Sequence, residues 1–458
     1  MNRLVLEELE GIVGSAYVVT NIDQMQSYLV DETPISVRPK PASNVVLVRP
    51  TDTQQVSSTL RLANKNRLPV YPRGGGTGLV GGAIPTRNGI ILSLERMKRI
   101  EIDETNLFAI AQAGVTLGEL AKAVEETGLS FPPHPGDENA QVGGLAATNA
   151  GGSRAVRHGV MRNNVRGLEV VLATGEILNL GGRLHKDNMG YDLMQLIIGS
   201  EGTLAVITKV IVQLYPKPGA TMTLIVPFNS RHDALTTVPK MLHSSTPLSI
   251  EYVETGLLKK SAERLNTYWP VKDGGHHLII IVAEANRDQV LSESLKLAQI
   301  CQPNTPYETY VAESTADQDN ILRIRSNIYN ALKSETIDIL DTTVPPSELE
   351  KVMGEVEKAA EKWGADVRFF GHAADGNLHI HIMKGPGMST QRAEDLRDEI
   401  YDMATRAGGV ITGEHGIGKV RVGKPQSLMT EREFQLMKSI KRIFDPNGIL
   451  NPETKILA

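Results

Sequence analysis

Cysteine is nearly missing from this chain of 458 residues: Cys301 is the only one. A single thiol excludes internal disulfides, and it excludes a cysteine-ligated iron–sulfur cluster held by this chain alone. Positive charge is not in excess either. Lys and Arg number 48 against 53 Asp and Glu, a net charge of −5. That balance argues against nucleic acid or an anionic membrane surface as the main partner. No apolar run is long enough to span a bilayer, so no transmembrane segment is expected. Glu7, Glu8 and Glu10 stand where a secretory signal would carry basic residues. The expected location is therefore the cytoplasm, with a membrane reached only through a partner. Internal repeats and low-complexity segments are also missing.

Glycine, by contrast, is abundant, with 42 residues. Six of them fall within ten positions, 73–82, which read Arg-Gly-Gly-Gly-Thr-Gly-Leu-Val-Gly-Gly. Such density weakens any helix or strand, and it suits a backbone whose N–H groups must meet a polyanion without side chains in the way. Gly76, Gly78 and Gly81 match the G-x-G-x-x-G spacing of a dinucleotide-binding turn. That turn must open into a helix. Here Pro85, Asn88-Gly89 and the strand-like 90–94 follow instead, so a nicotinamide site is excluded and another phosphate cradle is required. Further clusters of small residues at 136–154 and 199–203 point to several backbone segments lining one extended ligand.

The chain is expected to be α+β in three parts. Residues 1–220 alternate short strands (45–48, 68–71, 108–112, 203–214) with helices at 54–65 and 116–126, and a hairpin turns at Thr174-Gly175. Pro216 and Pro218 mark the boundary. Residues 221–408 combine strands at 222–227, 248–253, 277–283 and 307–311 with amphipathic helices at 347–362 and 390–406, the pattern of an antiparallel sheet with helices. The segment 409–458 adds a glycine–histidine cluster and a helix near 430–444.

Four of the eleven histidines lie within 372–415. In 371–381, Gly-His-Ala-Ala-Asp-Gly-Asn-Leu-His-Ile-His, strand alternation sets His379 and His381 on one face. The Asp375-Gly376 turn is expected to fold His372 back beside His379. Gly413-Glu-His-Gly-Ile-Gly418 supplies a carboxylate and another imidazole. Two imidazoles and a carboxylate with a position left open form a common divalent-metal set. A lone buried histidine is more often structural, but two clusters joined by glycines favour the site.

These motifs in this order resemble the flavoprotein superfamily of vanillyl-alcohol oxidase and p-cresol methylhydroxylase, over roughly 40–458, and especially its glycolate oxidase D-subunit and D-lactate dehydrogenase branch. The resemblance implies a two-part FAD-binding domain of the p-cresol methylhydroxylase type, an α+β cap domain with an antiparallel sheet, and a C-terminal segment returning to the active site. It implies FAD contacts from Arg73, Gly74, Gly75, Gly76, Thr77 and Gly78 at the pyrophosphate. Further contacts are implied from Pro135, Gly136, Asp137, Gly143, Gly144, Ala146, Thr148, Asn149, Gly152 and Ser153, and from Glu201, Gly202, Ile207 and Asn451. Relatives that bind FAD covalently use a histidine in the first loop; Thr77 stands here, so non-covalent FAD is expected. His372, His379 and Glu414 are implied metal ligands, for Zn, Fe(II) or Mn. His415 is the implied proton acceptor, and Arg325 the clamp on the substrate carboxylate, with Arg323 its local rival. His381 is a further catalytic candidate whose role stays open.

The implied reaction is oxidation of a small D-2-hydroxy acid to the 2-oxo acid, D-lactate first and glycolate next, with hydride passing to flavin N5. Relatives acting on 2-hydroxyglutarate carry a lysine in the strand before Pro345; 338–345 has none. Electrons then pass to an external acceptor: an electron-transferring flavoprotein, a quinone or an iron–sulfur subunit. The alternatives are a D-2-hydroxyglutarate dehydrogenase, a non-catalytic flavin-binding subunit, a metal hydrolase with phosphate-binding loops, and an alkyl-transfer enzyme.

Overall fold

A computed structural model describes residues 2–456. Three main sheets carry the fold. The first has four strands, in the order Val18–Val19, Val45–Val48, Gly89–Ser93, Val70–Arg73, the last three parallel. Its inner strands are buried along their length and apolar except for Ser93, as parallel strands covered on both faces must be. The helix Thr53–Lys65 supplies the crossover, started by the Asp52 carboxylate on the N–H of Gln55. The second sheet is antiparallel, ordered Ile100–Asp103, Phe108–Gln112, Val206–Gln213, Val165–Val171, Ile177–Gly181. A capping box between Thr116 and Glu119 starts the helix Leu117–Glu125, which packs Leu117, Leu120 and Val124 into the core of this sheet.

The third sheet has seven strands, all paired antiparallel, in the order Tyr310–Ala312, Ala220–Phe228, His276–Glu284, Ser249–Glu254, Val367–His372, Asn377–Met383, Thr336–Thr343. One face carries Ile250, Tyr252, Leu378, Ile380 and Ile382 into the largest apolar cluster, against helices that include Leu349–Trp363 and Thr390–Arg406. Each such side chain contributes about 1.5–3 kcal/mol on burial. The alternate residues Glu251, His379 and His381 therefore turn to the other face, which the helix Thr315–Ser326 covers. The pattern that builds the core thus also aims the site.

The α+β architecture with an antiparallel cap sheet matches expectation. Three details differ. The strand expected at 68–71 runs Val70–Arg73, because the N–H of Leu68 closes the preceding helix on Ala63 O at 2.9 Å. The strand expected at 307–311 shrinks to Tyr310–Ala312, since the N–H of Tyr307 is bound by Thr305 Oγ1 at 3.2 Å. Part of the glycine-rich stretch after 136 forms a short helix, Val142–Thr148. The C-terminal segment returns to the first sheet: Val70 N–H donates to Ile449 O and Asn451 N–H to Val70 O, each at 2.8 Å.

Candidate active site

Two cavities meet where the third sheet approaches the first two. The first is walled by residues 72–80, by the helix Val142–Thr148 with the residues after it, and by segments around Glu201, Ile207 and Asn451. Its loop at 74–78 leaves the strand Val70–Arg73. Among the described residues, no protein acceptor takes the N–H groups of residues 75–78. A Cβ added at Gly78 or Gly144 would meet nothing within 4 Å, so open space lies directly over their backbones. Gly75 and Gly143 instead back onto Asn139 O and Ala113, 2.7 and 2.5 Å from an added Cβ. Unpaired N–H groups on a cavity wall, with packed protein behind, fit the pyrophosphate of a dinucleotide.

Most of the expected cofactor residues line this cavity or its neighbour. The neighbour is reached by Pro135, Gly136, Asp137, Gly152 and Ser153. Two lie elsewhere. Ala146 is fully buried in the core of the second sheet. Asn149 has φ +54° and ends its helix, with Oδ1 accepting from Arg162 N at 2.9 Å. Two others line the cavity while their side chains do different work. The Arg73 guanidinium folds beneath the loop, donating from Nη2 to Ser27 O at 2.7 Å. The Glu201 carboxylate accepts from the N–H groups of Ile417 and Gly418, at 2.9 and 2.7 Å.

The second cavity is bounded by the third sheet, by Arg325, Tyr329 and Lys333, and by residues 134–139. On its floor, Glu414 Oε1 lies 3.6 Å from His372 Nε2, 3.4 Å from His379 Nε2 and 3.7 Å from His415 Nε2. Ligand atoms about 2.0–2.1 Å from a tetrahedral cation stand roughly 3.3–3.4 Å apart. The ligand atoms of Asp341, His379, Glu414 and His415 all lie within 4.8 Å of one another, a span a divalent ion can bridge, and His372 stands beside that group, 3.6 Å from Glu414 Oε1. His415 stacks on His379, with ring centroids 5.0 Å apart and planes 7° from parallel.

Burial opposes charge at Glu414, His372 and His379, and neighbours reverse it at the first two. For Glu414 burial acts upward, but the hydrogen bond and charge of His372, with His415 and Arg325, outweigh it and hold the carboxyl at about 2. His372 is raised well above the usual imidazole value, because Glu251 and Glu414 outweigh its burial. His379 is driven well below it by burial and by the charges of His415 and His372.

Sequence reasoning missed Asp341 and Glu251. Asp341 Oδ2 accepts from the N–H groups of Gly413, Glu414 and His415 at 2.9, 2.8 and 2.7 Å, and from Thr412 Oγ1 at 2.9 Å. Oδ1 accepts from Asn377 Nδ2 at 2.8 Å. Its ligand atom lies within 4.8 Å of those of His379, Glu414 and His415, but these bonds already occupy it. The segment 412–418, which forms neither helix nor strand, is thus gripped by Asp341 of the third sheet and by Glu201 from the first cavity. Glu251 Oε1 accepts from His372 Nδ1 at 2.7 Å, and Oε2 pairs with Arg325. A lone acid inside the apolar strand 248–253 was the available signal for Glu251.

The helix Thr315–Ser326 turns Arg325 into the cavity, over the Phe370 ring at 4.9 Å, and leaves Arg323 exposed. His381 is corrected. It is fully buried, with Nδ1 2.9 Å from Thr336 Oγ1, it lines neither cavity, and burial pushes it down to about 3. Two places along the strand carry it past the open floor into the packing beneath Tyr329 and Phe370, so it touches no reacting group.

Two family models match this chain: "FAD binding domain" over residues 45–181 and "FAD linked oxidases, C-terminal domain" over 217–454. The chain is 42% identical to a D-lactate dehydrogenase of Archaeoglobus fulgidus, across 93% of this chain and 94% of that one. It is 35% identical to the glycolate oxidase subunit GlcD of Bacillus subtilis, across 89% and 87%. Among solved structures, p-cresol methylhydroxylase with substrate bound superposes with a TM-score of 0.79, at 19% identity over 99% of this chain and 96% of that one, a likeness of fold.

Proposed function

The chain belongs to the FAD-linked oxidase family, and on that premise we propose that it oxidises a small D-2-hydroxy acid, D-lactate foremost, to the 2-oxo acid. The observation that carries this reading is the convergence of His372, His379 and His415 on Glu414 at the mouth of the glycine-walled cavity. Bound FAD supplies the hydride acceptor, and a divalent cation at His372, His379 and Glu414 supplies Lewis acidity toward the hydroxyl. The metal is Zn, Fe(II) or Mn. Thr77 offers no imidazole for a covalent flavin link, so FAD is held without one.

The chain's own groups do the rest. Arg325 takes the substrate carboxylate in a planar, two-pronged pair. His415, which lines both cavities, accepts the hydroxyl proton. Asp341 and Glu201 hold the segment bearing His415 from two sides, so the base is in place before substrate arrives. Ile339 presents an apolar surface to the cavity, and Lys333, the other long cationic side chain on its wall besides Arg325, is already paired with Glu32, which favours lactate or glycolate over a dicarboxylate. Cys301 is buried, and no helix among the described residues is long and apolar enough to cross a membrane. The proposed electron acceptor is an external flavoprotein, quinone or iron–sulfur partner, and the proposed location is the cytoplasm, with a membrane reached only through such a partner. The test is steady-state oxidation of D-lactate, L-lactate, glycolate and D-2-hydroxyglutarate with an artificial acceptor. D-lactate is expected to have the highest kcat/KM. A preference for L-lactate, or for the dicarboxylate, contradicts the reading.

A further inference from the structure

Glu251 is the one fully buried carboxylate among the described residues of the cavity wall, and it belongs neither to the glycine segments nor to the histidine motifs. It is 1% exposed, in the interior of the strand Ser249–Glu254. An ionised carboxylate in such a place is costly unless every neighbour uses it. The pairing explains its position: Glu251 stands directly opposite His372 on the antiparallel strand Val367–His372, so the two side chains share one face. Oε1 receives the His372 Nδ1 bond at 2.7 Å and a bond from Ser249 Oγ at 3.0 Å. Oε2 pairs with Arg325.

We propose that Glu251 is a positioning residue of the metal site: it binds His372 through Nδ1–H, so that the Nε2 lone pair faces Glu414, and its second oxygen anchors Arg325 at the same wall. An imidazole has one proton to place when neutral, and the partner of one nitrogen decides the state of the other. With Nδ1 spoken for, Nε2 is free as a ligand, and it lies 3.6 Å from Glu414 Oε1. A carboxylate behind a ligating histidine also fixes the ring plane, and its loss typically costs metal affinity by about 10- to 100-fold. The one residue therefore joins the cation-binding and the carboxylate-binding parts of the cavity. This inference rests on the proposal that His372, His379 and Glu414 hold a metal.

The experiment titrates the full-length, FAD-loaded protein with Zn²⁺ against a competing fluorescent chelator, after removal of endogenous metal. Wild type is expected to bind one Zn²⁺ per chain, and His379→Ala to lose it. Glu251→Gln should still bind one Zn²⁺, about 10- to 100-fold more weakly, with FAD content and flavin spectrum unchanged. Equal Zn²⁺ affinity in Glu251→Gln and wild type overturns the positioning role. So does parallel loss of FAD and Zn²⁺, which marks a purely structural residue. A wild type whose Zn²⁺ binding is indifferent to His379→Ala overturns the metal site itself. Should Glu251→Gln fail to fold, Ser249→Ala decides, because it removes only the second donor to Oε1. A fall in Zn²⁺ affinity of about 2- to 10-fold supports the role, and no change overturns it.

Discussion

The two cavities are built from different materials. The glycine-walled one is made of backbone: its working groups are main-chain N–H donors, and its side chains matter mostly by being absent, as at Gly78 and Gly144. The histidine floor is made of side chains, with three imidazoles meeting a single oxygen, Glu414 Oε1. A backbone cradle spreads its contribution over many groups, so no single atom is decisive. A side-chain cluster concentrates it, and one truncation removes the point of convergence. The segment 412–418 joins the two, gripped by Glu201 on one side and Asp341 on the other.

This contrast can be broken or sharpened by substitution. Glu414→Ala should have the largest effect, with turnover of D-lactate falling about a thousandfold or more while FAD stays bound, checked by steady-state rates beside the flavin spectrum. His415→Gln should slow reduction of the bound flavin by about 10²- to 10⁴-fold and leave metal content unchanged, checked by stopped-flow absorbance and elemental analysis. Gly78→Val acts on the other material. Its side chain enters the space over the loop, so FAD affinity should fall by about 1–3 kcal/mol. The melting temperature of the FAD-free protein should barely move, because nothing lies within 4 Å of that Cβ.

The smallest effect belongs to Lys419, which stands at the seam and donates to Gly82 O, Asn451 Oδ1 and Thr454 Oγ1 at 3.1, 2.9 and 2.7 Å. Burial, opposed by Glu201, Asp31 and Glu453, lowers it from 10.5 to about 8. Between those values the unfolded chain binds more protons than the native one, so this group makes stability rise with pH across that window. Lys419→Met should flatten that rise by on the order of 1–2 kcal/mol, measured by urea unfolding at pH 8 and pH 10.

The sequence reveals the two halves unequally, for the same physical reason. Backbone recognition requires glycine, and glycine runs are visible in one dimension; residues 74–78 and 143–144 were found that way. Side-chain recognition requires convergence in space. His372 and His379 were legible because a short turn brings them together from nearby positions, and Glu414 because its motif completes the resemblance to the family. Asp341 and Glu251 were not, because they reach the site only through contacts across 72 and 121 residues, to Gly413 and to His372. Alternation also misled: it set His381 on the same face as His379 but could not tell that the cavity ends before it. Ala146 and Asn149 fell inside a motif whose neighbours line the cavity, yet helix geometry turned the first into the core and spent the second on a cap.

The most direct test of the account is anaerobic reduction of the bound flavin by D-lactate and by L-lactate, in wild type and in His415→Gln. The account predicts rapid loss of oxidised-flavin absorbance with the D-acid alone, and a reaction slowed by orders of magnitude in the variant although its FAD content is normal. Bleaching at an equal rate in the variant, or no bleaching of wild type by any 2-hydroxy acid, would contradict it.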